Sequence, residues 1–247
     1  MRSFRRFALL LVLVFPAMYA VLAQSSSSNP PTPATGQDQA KPQAQEQTPQ
    51  QQSVQARIRA RREQRRAAAI HDAYSHRFEA YGGMGYLRFQ PGPSLQRLTF
   101  YSWETGLTRN FGPRLGVNVE GRGYYGTAYV GLNPSSITRP SISQYDALAG
   151  PQYRFYEQPK YSISGRVMAG FSHANNSADT NGFGAKTLGL YPDGNTFAVS
   201  ASAFGEYNLT PNVAFRLGPE YFITGFGSSM QNSVGFNGSI VYRFGKP

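Results

Sequence analysis

The chain has 247 residues, enough for one domain with appendages, and no cysteine, which excludes a disulfide framework, a thiolate metal site and a catalytic thiol. Charged residues make up only 15%, beside 26 glycines, 16 tyrosines and 17 phenylalanines, and the mean hydropathy is −0.42; a bundle of membrane helices is excluded and strands are favoured over a helical soluble enzyme. The formal net charge of +11 is carried mostly by Arg2, Arg5 and Arg6 and by Arg57, Arg59, Arg61, Arg62, Arg65 and Arg66, so the remainder is close to balanced and no nucleic-acid partner is expected.

Residues 1–23 read as a cleaved secretory signal peptide. Arg2, Arg5 and Arg6 form the positive n-region, Phe7 to Phe15 is a short apolar core, and Val21-Leu22-Ala23 suits a cut before Gln24. No cysteine follows, so lipoprotein-type lipidation is excluded. Residues 24–52 are Ser, Pro, Gln, Ala and Thr with almost no apolar side chains, too little to offset chain entropy, and are expected to be a disordered linker. Residues 53–75 begin with SVQARIRARREQRRAAAI, rich in good helix formers, and are expected to form a short basic helix. Its arginines, Arg57 to Arg66, either keep a spacer solvated or dock on anionic lipid head groups or cell-wall polymer.

From residue 76 to 247 the pattern turns to alternation, in eight segments. The first, Arg77 to Phe89, has its phase blurred by Gly82, Gly83 and Gly85. In the second, Tyr101, Trp103, Thr105 and Leu107 oppose Ser102, Glu104, Thr108 and Asn110. The third sets Leu115, Val117, Val119 and Tyr125 against Asn118, Glu120 and Arg122. The fourth sets Tyr145, Ala147, Ala149, Tyr153 and Phe155 against Asp146, Gln152 and Arg154. In the fifth, Ile163, Val167, Ala169 and Phe171 oppose Ser164, Arg166 and Ser172. The sixth alternates Phe197, Val199, Ala201 and Tyr207 with Ser200, Ser202 and Glu206; the seventh, Phe215, Leu217 and Tyr221 with Arg216 and Glu220. The last places Val234, Phe236, Ile240, Tyr242 and Phe244 opposite Asn237, Ser239 and Arg243.

The polar faces together hold Glu79, Glu104, Glu120, Asp146, Glu206 and Glu220 with Arg77, Arg122, Arg154, Arg166, Arg216 and Arg243. In a water-soluble barrel or sandwich the charges point to water and the interior is apolar. Six acids and six bases alternating with a belt of Tyr, Phe, Val and Ile fit the inverse: lipid outside and a polar, ion-paired interior. Buried charges of this kind must satisfy one another. The connections at 112–114, 157–160 and 209–212 are short and carry turn residues, while those near 91–97, 131–143, 175–195 and 225–232 are longer. Short turns on one side and long loops on the other predict an all-β fold: an eight-stranded antiparallel up-and-down transmembrane β-barrel with a disordered N-terminal extension, both ends lying on the short-turn, periplasmic side.

At residues 76–247 the sequence resembles the small eight-stranded outer-membrane barrels of the OmpA, OmpX and opacity-protein type. The strand Gly238-Ser-Ile-Val-Tyr-Arg-Phe244 carries the resemblance furthest, with Leu148-Ala-Gly-Pro-Gln-Tyr-Arg-Phe155 and the Phe197–Tyr221 hairpin. The resemblance implies an outer-membrane location, contact with outer-membrane lipid and lipopolysaccharide, and recognition of Ile240, Tyr242 and Phe244 by the outer-membrane assembly machinery. The family's peptidoglycan-binding globular domain is not expected here, so any cell-wall contact would fall to the N-terminal arm.

Three sites compete with a structural or adhesin-like role. Gly121-Arg-Gly-Tyr-Tyr-Gly126 matches GxGxxG but lacks the βαβ unit that a dinucleotide needs. Ser172-His173-Ala174-Asn175 lies where barrel lipid A deacylases keep their catalytic set, but Asn175 stands where that family's nucleophile would follow the histidine and no carboxylate orients the ring. His71 and His76 have no acidic cluster with metal spacing. The expectation is therefore no catalytic, cofactor or metal site, with a lipid A-modifying enzyme or a narrow pore as alternatives. Twelve large charged groups should fill a lumen only wide enough for side chains. The 175–195 loop, with exposed-looking Leu188, Leu190 and Tyr191, is read as a mobile surface loop.

Overall fold

The computed structural model describes residues 49–245; the expected leader and most of the expected linker lie outside them. Helix α1 (Pro49–Tyr74) is followed by eight strands: β1 (Phe78–Phe89), β2 (Leu98–Asn110), β3 (Leu115–Thr127), β4 (Ser141–Glu157), β5 (Tyr161–Asn175), β6 (Gly194–Asn208), β7 (Val213–Thr224) and β8 (Gln231–Phe244). Each strand pairs antiparallel with its sequence neighbours, and β1 also pairs with β8, Phe78 opposite Phe244, so the sheet closes and no edge is left unpaired. The helix begins at Pro49, so 49–52 are helical rather than linker: Gln50, Gln51 and Gln52 are themselves adequate helix formers.

Burial alternates strictly along β5 and along β4 as far as Phe155, and nearly so elsewhere, which fixes the two faces of the wall. Val119 (60% exposed), Phe171 (75%) and Ile240 (60%) point out; Glu120, Ser172 and Ser239 point in. A bulge in the β4–β5 register at Arg154–Tyr156 turns Phe155 and Tyr156 outward together. The segment with the blurred phase resolves with Glu79, Tyr81, Leu87 and Phe89 inward, so one tyrosine belongs to the lumen. Tyr81 lies opposite Gly106, and a Cβ at Gly106 would run into its ring.

The lumen is stratified. Charged side chains fill the short-turn part, and an apolar layer of Leu87, Phe100, Tyr124, Leu148, Met168 and Phe222 lies above them. The long connections continue that layer rather than standing free. Leu188, Leu190, Tyr191 and Phe226 are buried in the same cluster, which corrects the expected mobile, exposed loop. A 3-10 turn at Ala185–Leu188 positions the leucines, Tyr191 N–H donates to Pro91 O (2.9 Å), and Asn176 Nδ2 donates to Tyr191 O (3.0 Å).

Candidate functional site

Two ionic clusters occupy the lumen. In the one nearest the short turns, Glu79 from β1 meets Arg154 (2.9 Å), Arg216 (3.1 Å) and Arg243 (3.5 Å). Glu206 from β6 binds Arg216 and Arg243, each at 2.6 Å, and accepts from Ser162 (3.1 Å). Three guanidiniums thus face two carboxylates. In the cluster above, Arg166 reaches Glu120 (2.6 Å) and Glu104 (3.7 Å), and Arg122 pairs with Glu120 and, across the lumen, with Glu220. Here two guanidiniums face three carboxylates. The two imbalances cancel: across the two clusters five bases face five acids, all of them buried.

Tyr81 joins the clusters. Its hydroxyl accepts from Arg166 Nη1 (2.8 Å) and lies within donating distance of Asn118 Oδ1 (3.0 Å) and of Glu120. Its ring sits beside Arg216 (4.8 Å) and Arg166 (5.4 Å), and the Phe204 ring takes the same two cations (4.4 and 5.5 Å). Guanidiniums stacked on aromatic faces keep favourable contacts that water would otherwise supply.

Ten of the charged residues read from the sequence fall in these clusters: Glu79, Glu104, Glu120, Arg122, Arg154, Arg166, Glu206, Arg216, Glu220 and Arg243. Asp146 does not join them. It is buried and pairs with Gln144 Nε2 (3.1 Å), while Arg122, which stands opposite it on β3, is taken up by Glu120 and Glu220. Arg77 lies exposed ahead of β1 instead of facing inward.

The short-turn mouth is closed from outside the barrel. Tyr74, at the end of α1, inserts its ring beside Arg154 (4.4 Å) and Arg243 (5.0 Å). Its hydroxyl donates to Gln158 O (3.0 Å) and accepts from Asn208 Nδ2 (2.8 Å). Nothing in the local sequence marks Tyr74 for this place; its contacts join residues eighty or more positions apart.

The outer wall is apolar between two aromatic bands. Tyr101, Tyr125, Tyr145, Phe171 and Phe197 lie toward the long loops, with the Tyr125 and Tyr145 hydroxyls 3.1 Å apart. Phe111, Tyr153, Phe155, Tyr207, Tyr242 and Phe244 lie toward the short turns. Between Tyr101 and Phe111 the tilted strand rises about 25 Å, the height of a lipid-facing band.

Ser172 and His173 lie on opposite sides of the wall: Ser172 is buried inside, while His173 is exposed with Nδ1 2.7 Å from Asn195 Oδ1. They cannot act on one another. Among the described residues no three His, Cys, Asp or Glu side chains are arranged to hold a metal ion.

No protein-family model and no curated protein matches the chain. Solved structures do. Neisserial surface protein A is 15% identical over 68% of this chain and 97% of its own, with a TM-score of 0.50. The outer membrane protein OprG from Pseudomonas aeruginosa is 11% identical over 71% and 99%, with a TM-score of 0.50. The fold of this chain is thus that of the small eight-stranded outer-membrane barrels.

Proposed function

We propose that this chain is a structural or adhesin-like barrel of a bacterial outer membrane, exported by a cleaved leader, that seals its own lumen and meets its surroundings through its wall and long loops without turnover. One observation carries this: apolar and aromatic side chains cover the outer wall while ten paired charges are closed inside. Water outside such a wall would be unfavourable over the whole belt, whereas hydrocarbon wets it. The lumen supports a non-conducting barrel, because the ionic clusters, the apolar layer and Tyr74 block it in series. The separation of Ser172 from His173 speaks against a deacylase-like reaction on this wall. Lipid and lipopolysaccharide would contact the outward belt, and the alternating Ile240, Tyr242 and Phe244 on the outside of β8 suit recognition by the assembly machinery.

The test is gel mobility of an outer-membrane fraction, with planar-bilayer recording of the purified chain. The expected outcome is a compact band that shifts on boiling and no conductance steps. A chain found in the soluble fraction with no heat-dependent shift removes the membrane assignment; regular conductance steps remove the sealed lumen. Lipid A whose acylation changes on expression of the chain, and reverts with His173→Ala, would establish the enzyme instead.

A further inference from the structure

Helix α1 is buried against the barrel at its last turn only. Ala73 and Tyr74 are buried, whereas residues 54–69 are exposed throughout. One further contact touches the barrel: Arg66 donates to Gln158 Oε1 in the β4–β5 turn. The Gln158 amide in turn donates to the hydroxyl of Tyr156 (2.9 Å), an outward residue of the short-turn aromatic band whose ring lies 5.9 Å from that of Tyr161. Tyr74 lies inside the mouth and Arg66 over its rim, about 12 Å further along the helix axis. The two points direct the helix outward over the β4–β5 turn and bring Arg66 to the level where lipid head groups meet the wall.

The arginines follow this geometry. Arg59, Arg62 and Arg66 stand at i, i+3 and i+7 and so share one face, the face that meets the rim. Arg57, Arg61 and Arg65 form the adjoining stripe. Glu63 is the only acid between Arg57 and Arg66. The helix has no continuous apolar stripe: Val54 and Ile58 are exposed and are followed along their own side by Arg61, Arg62 and Arg65. It therefore has no means of inserting and every means of binding a charged surface through guanidinium–phosphate pairs. Six cations on a solvated rod would repel one another unless an anionic surface neutralises them.

We propose that α1 is a docking rod for the phosphate groups of anionic phospholipids in the leaflet on the short-turn side, with Tyr74 as its fixed hinge point. This rests on the membrane-barrel reading above. Its test uses the full chain refolded into vesicles of phosphatidylcholine, with and without phosphatidylglycerol, and follows amide hydrogen exchange over residues 54–69. The expected result is about tenfold slower exchange with the anionic lipid, lost at high salt and lost in the triple variant Arg59→Gln, Arg62→Gln, Arg66→Gln. That variant should keep the heat-dependent gel shift of the parent. Equal exchange in the two vesicles overturns the proposal. So does protection that appears only on adding purified cell-wall sacculi, which would assign the rod to the polymer. A chain with no folded band in either vesicle overturns both this and the membrane reading on which it depends.

Discussion

Glu79 is held by three guanidiniums at once, the nearest at 2.9 Å, and is almost fully buried. Glu79→Gln would leave a cluster of three cations facing one carboxylate, and breaking a buried pair from one side costs about 3–5 kcal/mol. The urea midpoint of the vesicle-bound chain, read from the fluorescence of its single tryptophan, Trp103, should fall accordingly. Asp146→Asn should cost less than about 1 kcal/mol in the same assay, because Asp146 has an amide and no guanidinium within ion-pair distance. Tyr81→Phe keeps the ring between Arg166 and Arg216 but removes the hydroxyl that Arg166 and Glu120 share, for an expected loss of about 1–3 kcal/mol. These three sites also mark how far single residues were legible. Charge and phase placed Glu79 inside. Nothing in the sequence separates Asp146 from the other inward acids, since the guanidinium opposite it, that of Arg122, is drawn to Glu120 and to the distant Glu220. Tyr81 was hidden by neighbouring glycines that remove the apolar side of the alternation. The facing Gly106 is the one signal that could have found it, as a gap of the size a tyrosine ring needs.

The strands were the most legible elements, because a period of two on a wall with two unlike solvents leaves no freedom of register. Where strands approach most closely the choice of residue is also dictated. A Cβ at Gly150 would collide with Val167 O of β5, and one at Gly170 with Ala147 O of β4. Gly150→Val and Gly170→Val should therefore each prevent closure of the β4–β5 pair. The expected outcome is a chain that migrates at the same position boiled or unboiled, while Gly121→Ala, where a Cβ meets nothing, retains the shift. The loops and the anchoring of α1 are less legible than its helicity, for a physical reason. Leu188, Leu190 and Tyr191 stand in a polar stretch with no periodicity, so their burial follows from packing on Phe226 and the lumen rather than from local pattern. Tyr74 is likewise set by the mouth it enters. Removing it should uncouple α1: Tyr74→Ala is expected to cost about 3 kcal/mol, since it empties a site lined by Arg154, Arg243 and Asn208, and Tyr74→Phe about 1, since it deletes two hydrogen bonds. Urea midpoints of the full chain in vesicles give both values.

Across the whole molecule, the pairings that neutralise the lumen join residues far apart in sequence. Arg122 binds Glu220 and Arg216 binds Glu79, so which acid meets which base emerges only when β8 closes on β1. Equal numbers of acids and bases on the inward phase were visible beforehand; their division into two oppositely unbalanced clusters bridged by Tyr81 was not. The division makes closure cooperative: neither cluster is neutral alone, and each needs strands from both halves of the chain. The solvent on the outside of the wall can be tested directly with a charge placed on it. Val119 is exposed midway between the two aromatic bands, whereas Leu115, on the same strand and face, lies at the short-turn rim. If hydrocarbon surrounds the barrel, Val119→Arg should lower its stability in vesicles by about 2–4 kcal/mol and Leu115→Arg by about 0–1 kcal/mol, because the cost of a cation falls from the bilayer centre to its interface. In water both positions would accept arginine with little change, so equal midpoints for the two variants would mean that the outer wall does not face lipid.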